Sequence, residues 1–84
     1  MPRFYLHLFN RIGSAPDEEG VELPDLAAAR ESAAENIRSI MSEEVKEGLF
    51  DLNGRIEIAD DQGRLLATVP FADAVELKLT GGDR

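Results

Sequence analysis

The sequence contains no cysteine and no tryptophan, and only one histidine and one tyrosine. Without a thiol there are no disulfides, no thiolate nucleophile and no cysteine-based metal staple. The absence is compatible with a reducing compartment. Positive charge is also scarce: nine Lys and Arg against seventeen Asp and Glu leave a net charge of -8. Nucleic acid and anionic membranes both require a basic footprint, so neither is an expected partner. Apolar runs are only a few residues long, too short for a membrane-spanning helix. Met1-Pro2-Arg3-Phe4 leads straight into strand-like sequence and lacks the apolar core and small-residue cleavage site of a signal peptide. The expected location is cytoplasmic. With 84 residues and four phenylalanines, the chain is expected to form a single domain, residues 1–84, with a modest core. Cores of that size often gain from self-association.

The strongest pattern runs from Pro24 to Glu47. Leu26, Ala29, Ala33, Ile37, Ile40, Met41 and Val45 recur at spacings of three and four, which makes one stripe of a helix about six turns long. Glu31, Glu35, Arg38, Ser42, Glu43 and Lys46 fall on the other side. Pro24 suits the first turn, where its missing N–H matters least, and Asp25 caps the helix or sits in that turn. Gly48 is placed to end the helix as a C′ glycine, with Lys46 complementing the dipole.

The flanks read as strands. Arg3 to Phe9 is apolar on both faces, Phe4, Leu6 and Leu8 on one and Tyr5, His7 and Phe9 on the other, as in a central or doubly covered strand. Asn10 to Gly20 is dense in turn residues and reads as loop, and Val21 to Leu23 as a short strand or lead-in. After the helix, Leu49, Phe50 and Leu52 are expected to close the open end of the core, and Asn53-Gly54 is a turn signal. Ile56 and Ile58, a loop Asp60 to Gly63, and Arg64 to Val69 form a hairpin with Gly63 in the left-handed position. Phe71 to Ala74 is one helical turn or a bulged corner, and Val75, Leu77 and Leu79 alternate like a last strand. The expected fold is α+β, a small antiparallel sheet of three to five strands packed on one long amphipathic helix, in the order β-(β)-α-β-β-(β).

Few residues carry chemistry. His7 has no Ser, Cys or second His near it in sequence, and its bland reading is a partly covered strand residue. Asp51, Asn53 and Gly54 open like a calcium loop, but Gln62 stands where the bidentate Glu is needed. No metal and no cofactor are expected. Five of the seven glycines sit singly at turns and the pair Gly81-Gly82 lies in the tail, so no phosphate-binding loop is expected. Glu31 and Glu35 share a solvent-facing helix side, which serves solubility.

The opening Met1 to Leu8 resembles a family of small bacterial proteins of unknown function, frequent in rhizobia and related alphaproteobacteria, that begin with a variant of Met-Pro-Arg-Tyr-Phe-Phe-His. The likeness continues through Glu19 to Asp25, Ala29-Arg30, Glu31 to Ala33, Ile56 to Gly63 and Thr68 to Phe71. Members often carry Asp-Gly after the first strand, where this chain has Asn10-Arg11. The resemblance implies a cytoplasmic alphaproteobacterial setting and supplies no mechanism.

Two functional classes follow. In the first, the chain is a non-enzymatic protein-interaction or regulatory module that self-associates as a homodimer through an outer sheet face bearing Tyr5, His7, Phe9 and Leu66. A variant of this reading has the acidic surface contact a basic protein partner. In the second, the chain is a small-molecule or anion-binding protein, or a minor enzyme, with a cleft at the helix N-terminus around Asp25 and Leu26.

Overall fold

The computed structural model describes residues 1–76. Strands β1 (Arg3–Asn10), β2 (Gly13–Ala15) and β3 (Val21–Glu22) precede helix α1 (Leu26–Lys46). Strands β4 (Arg55–Ala59) and β5 (Leu65–Pro70) and a 3-10 turn (Phe71–Ala74) follow it. Every strand pairing is antiparallel, the order across the sheet is β2-β1-β4-β5, and β3 also pairs with β1. This is the expected α+β sheet on one long helix.

Strand β1 is central in the sheet, and only one of its two apolar faces packs on the helix. One edge runs along β4 from Tyr5 to Phe9. The other edge is divided, with β3 opposite Arg3 and Phe4 and β2 opposite Leu8 to Asn10. The stretch from Asn10 to Gly20 is therefore only partly loop. Asn10 Oδ1 accepts from the amides of Ile12 and Gly13 at 2.9 and 3.2 Å, reversing the chain over two residues so that β2 returns along β1. A three-residue return strand is too short to show an alternation, which is why only its turn is legible in the sequence.

The helix begins one residue after its cap. Asp25 is extended and its side chain accepts from the amide of Ala28 at 2.9 Å, so Pro24 lies just before the cap rather than inside the first turn. Ala29, Ala33, Ile37 and Met41 form the buried stripe, with Leu26, Ala34 and Ile40 packed at its margins. Val45 continues the spacing but is 52 % exposed. The helix, about 31 Å long at 1.5 Å per residue, outruns the five-residue β4, which spans about 17 Å. At its C-terminus the amides of Gly48 and Leu49 donate to the carbonyls of Val45 and Glu44, both at 2.9 Å, and Gly48 takes φ +87°. That is the Schellman arrangement a C′ glycine permits.

Phe4, Leu6, Ile56, Ile58, Ala67 and Val69 face the helix, and Phe71, Ile37 and Ile58 are the largest fully buried side chains. The connector after the helix closes the core with Leu52, whereas Phe50 turns outward at 54 % exposure. Phe71 caps the same end: its amide donates to Gly54 O at 2.9 Å, and its ring lies so close that a Cβ on Gly54 would stand 2.7 Å from Cζ. Gly54 is thus needed for close approach and not only for a turn. The β4–β5 hairpin turns through Gly63 at φ +80° as expected, and between the Ile58–Ala67 and Ala59–Leu65 pairs Leu66 is an extra residue, a bulge. The 3-10 turn resolves the choice at Phe71 to Ala74. Val75 packs on the core outside any strand, and the rest of the expected last strand, Leu77 and Leu79, lies outside the described residues.

Candidate functional site

Because Leu6, Leu8, Ile56 and Ile58 point to the helix, the alternate residues of β1 and β4 form the outer sheet face. The register sets three rows across it: Tyr5–Ala59–Leu65, His7–Glu57–Thr68 and Phe9–Arg55–Pro70. Tyr5, His7 and Phe9 are half-buried, and Leu65 and Leu66 are exposed. Tyr5 and His7 stack with ring centroids 6.5 Å apart and planes 18° from parallel. Phe9 carries the Arg55 guanidinium 4.5 Å above its ring, and Arg55 Nε donates to Glu57 Oε2 at 2.9 Å. The three β1 residues therefore stand together as the sequence predicts. Leu66, the extra residue of the bulge, falls beside Leu65 at the Tyr5 end of the sheet, with Ala59 of β4 in between.

The segment from Pro16 to Gly20 bears on the rim of this face, and Asp17 anchors it. Between β2 and β3 the amide of Leu6 has no strand opposite it, and Asp17 Oδ2 accepts from it at 3.2 Å. Asp17 Oδ1 accepts from the amides of Gly20 at 3.0 Å and Glu19 at 3.3 Å. The amide of Asp17 in turn donates to His7 Nδ1 at 3.0 Å. Burial works against ionisation of Asp17, but the three amide donors and the nearby His7 outweigh it and hold its pKa below the ordinary carboxylate value. Gly20 completes the fit at φ +71°, where a Cβ would come within 2.9 Å of both Tyr5 Cε2 and Arg3 Cγ. The Asp17 anchor escapes sequence reading because Leu6 and His7 lie far from it along the chain. Only the Asx pattern toward Glu19 and Gly20 is local.

Tyr5, His7, Asp60, Asp61 and Gly63 line an open hollow of about 230 Å³ at the hairpin end of the face. Asp60 is committed to its turn: Oδ1 accepts from the amides of Gln62 and Arg64 and Oδ2 from Arg64 Nε. Those bonds, led by the Arg64 amide, hold its pKa low. A second hollow of about 190 Å³ lies at the β1–β2 turn, lined by Leu8, Asn10, Ile12 and Gly13 to Ala15.

At the helix N-terminus, the Asp25 carboxylate already takes the Ala28 amide, and Leu26 packs against the core. The residues named for an anion cleft thus have structural duties. Among the described residues, no group of three His, Asp or Glu is placed to hold a metal ion. At the opposite end, Arg11 Nη1 donates to both Glu44 Oε2 and Asp51 Oδ2 at 3.1 Å, tying the β1–β2 turn to the helix C-terminus and the connector. Glu44 Oε1 is buried there without a partner. Asn10 and Arg11, the pair that departs from the expected Asp-Gly, thus have structural roles in this chain, one in the turn and one in the ion triad.

No curated protein and no solved structure matches the chain. A family profile does, over the region that runs from the first residue of β1 to the start of the 3-10 turn. On that match, covering residues 3–72, the chain belongs to the family described as Domain of unknown function (DUF6894).

Proposed function

We propose that this domain is a non-enzymatic cytoplasmic protein-interaction module whose contact surface is the outer sheet face, with a second copy of the chain as the first occupant. The observation that supports it is that half-buried Tyr5, His7 and Phe9 and exposed Leu65 and Leu66 lie on the sheet side opposite the only α-helix among the described residues. A small core gains by covering such surface, at about 25 cal/mol per Å² before association costs. The face is modest, however. Four strands at about 4.8 Å spacing and about 20 Å of length give a plan area of order 400 Å² per copy, about half the standard contact. The dimer is accordingly weak and concentration-dependent.

Light scattering on a sizing column over a hundred-fold dilution tests this. The expected result is a dimer at high concentration that dissociates on dilution. Phe9→Asp places a carboxylate beside Arg55, which keeps the fold, and makes the chain monomeric at every concentration. A Phe9→Asp variant that still dimerises would show that association uses another surface.

A further inference from the structure

The outer face holds aromatic rings at two places, and among the described residues a cation covers the one at Phe9. At Phe9, a guanidinium lies 4.5 Å over the ring and is fixed by the Glu57 carboxylate at 2.9 Å. At the other end of β1, the stacked Tyr5 and His7 rings border a hollow of about 230 Å³ together with Asp61. Among the described residues no cation lines it. Arg64, the nearest in sequence, has its Nε on Asp60 Oδ2 at 3.0 Å and is not among the residues lining the hollow. Among the described residues Asp61 makes no hydrogen bond or ion pair, so its carboxylate is available. The Phe9 site shows within this fold what such an arrangement accepts.

We propose that the hollow over Tyr5 and His7 receives the guanidinium of an arginine carried by a basic partner protein, stacked on the rings and paired with Asp61. Three features select this occupant. A guanidinium is planar and weakly hydrated, so it stacks on aromatic rings while donating sideways to a carboxylate. Of the two carboxylates in the lining, Asp60 is paired with Arg64, which leaves Asp61 for an incoming cation. The net charge of -8 draws basic partners and repels acidic ones. The proposal rests on the outer face being the contact surface and names what one end of it recognises. A basic partner and a second copy then compete for the same face.

The test uses a blocked Gly-Arg-Gly tripeptide, its citrulline counterpart and two-dimensional NMR of the full chain. Spectra are recorded at the dilution where the chain is monomeric, so failure to dimerise and failure to bind arginine are read separately. The arginine peptide is expected to shift the Tyr5 and His7 ring resonances saturably, and citrulline, equal in shape but uncharged, to shift them little. Asp61→Asn, at an exposed turn position, should weaken the binding about two- to five-fold, the range of one exposed ion pair, with the rest of the spectrum unchanged. Tyr5→Leu should weaken it further by removing the stacking surface. Equal shifts with citrulline, shifts that ignore Asp61→Asn, or no shifts at Tyr5 and His7 would each overturn the proposal.

Discussion

Asp17 ties its loop to the first strand. It supplies the strand edge where neither β2 nor β3 reaches, taking the Leu6 amide at 3.2 Å while holding its own loop through Gly20 and Glu19. Asp17→Ala leaves that part-buried amide and the loop donors without a protein acceptor, and the expected loss is about 1–2 kcal/mol in urea unfolding. The pH dependence follows from the direction of its shift. The folded-state pKa lies below the unfolded one, so the contribution is fully present above the ordinary carboxylate pKa of about 4 and disappears as pH falls through the lower folded-state value. The difference in stability between wild type and Asp17→Ala should therefore be constant from neutral pH down to about 5 and narrow below 4. A difference that instead widened on acidification would mean that the carboxylate is not the acceptor.

At the scale of elements, legibility tracked the range of the interactions. The helix was readable because its cap, stripe and stop signal lie within its own sequence. Asp25 takes the Ala28 amide, Ala29 to Met41 repeat at four, and Gly48 closes the Schellman motif. The β4–β5 hairpin was readable for the same reason. What failed were features set by distant partners. Val45 keeps the period but extends past the sheet, β2 exists only because Asn10 turns it back on β1, and the Leu66 bulge has no sequence mark. The candidate site divides the same way: Tyr5, His7 and Phe9 share a face by alternation alone, whereas the position of Leu66 beyond Ala59 depends on strand order and on the bulge. The helix cap offers a direct check. Asp25→Ala should cost about 1 kcal/mol in thermal or urea unfolding, and Asp25→Ser should recover most of it by offering another acceptor to the Ala28 amide. If Ser failed to rescue, the Asp25 contribution would be charge at the helix N-terminus rather than the capping bond.

For the whole molecule the governing quantity is charge, because two occupants of opposite sign are assigned to one face. Each copy carries -8, so bringing two copies together works against a repulsion that apolar contact has to exceed. Added salt shortens the Debye length from about 30 Å at 0.01 M to about 8 Å at physiological strength, and most of that repulsion is screened. Dimerisation should therefore strengthen as salt rises, and the midpoint of the dilution series should move to lower concentration. The arginine peptide responds in the opposite sense, since its attraction to Asp61 and to the acidic surface is weakened by the same screening. Its binding should fall over the range in which self-association grows. Measuring both on one sample set, by light scattering and by the Tyr5 and His7 resonances, separates the two processes without any substitution. If both weakened with salt, self-association would be held by ion pairs rather than by apolar contact on the sheet face.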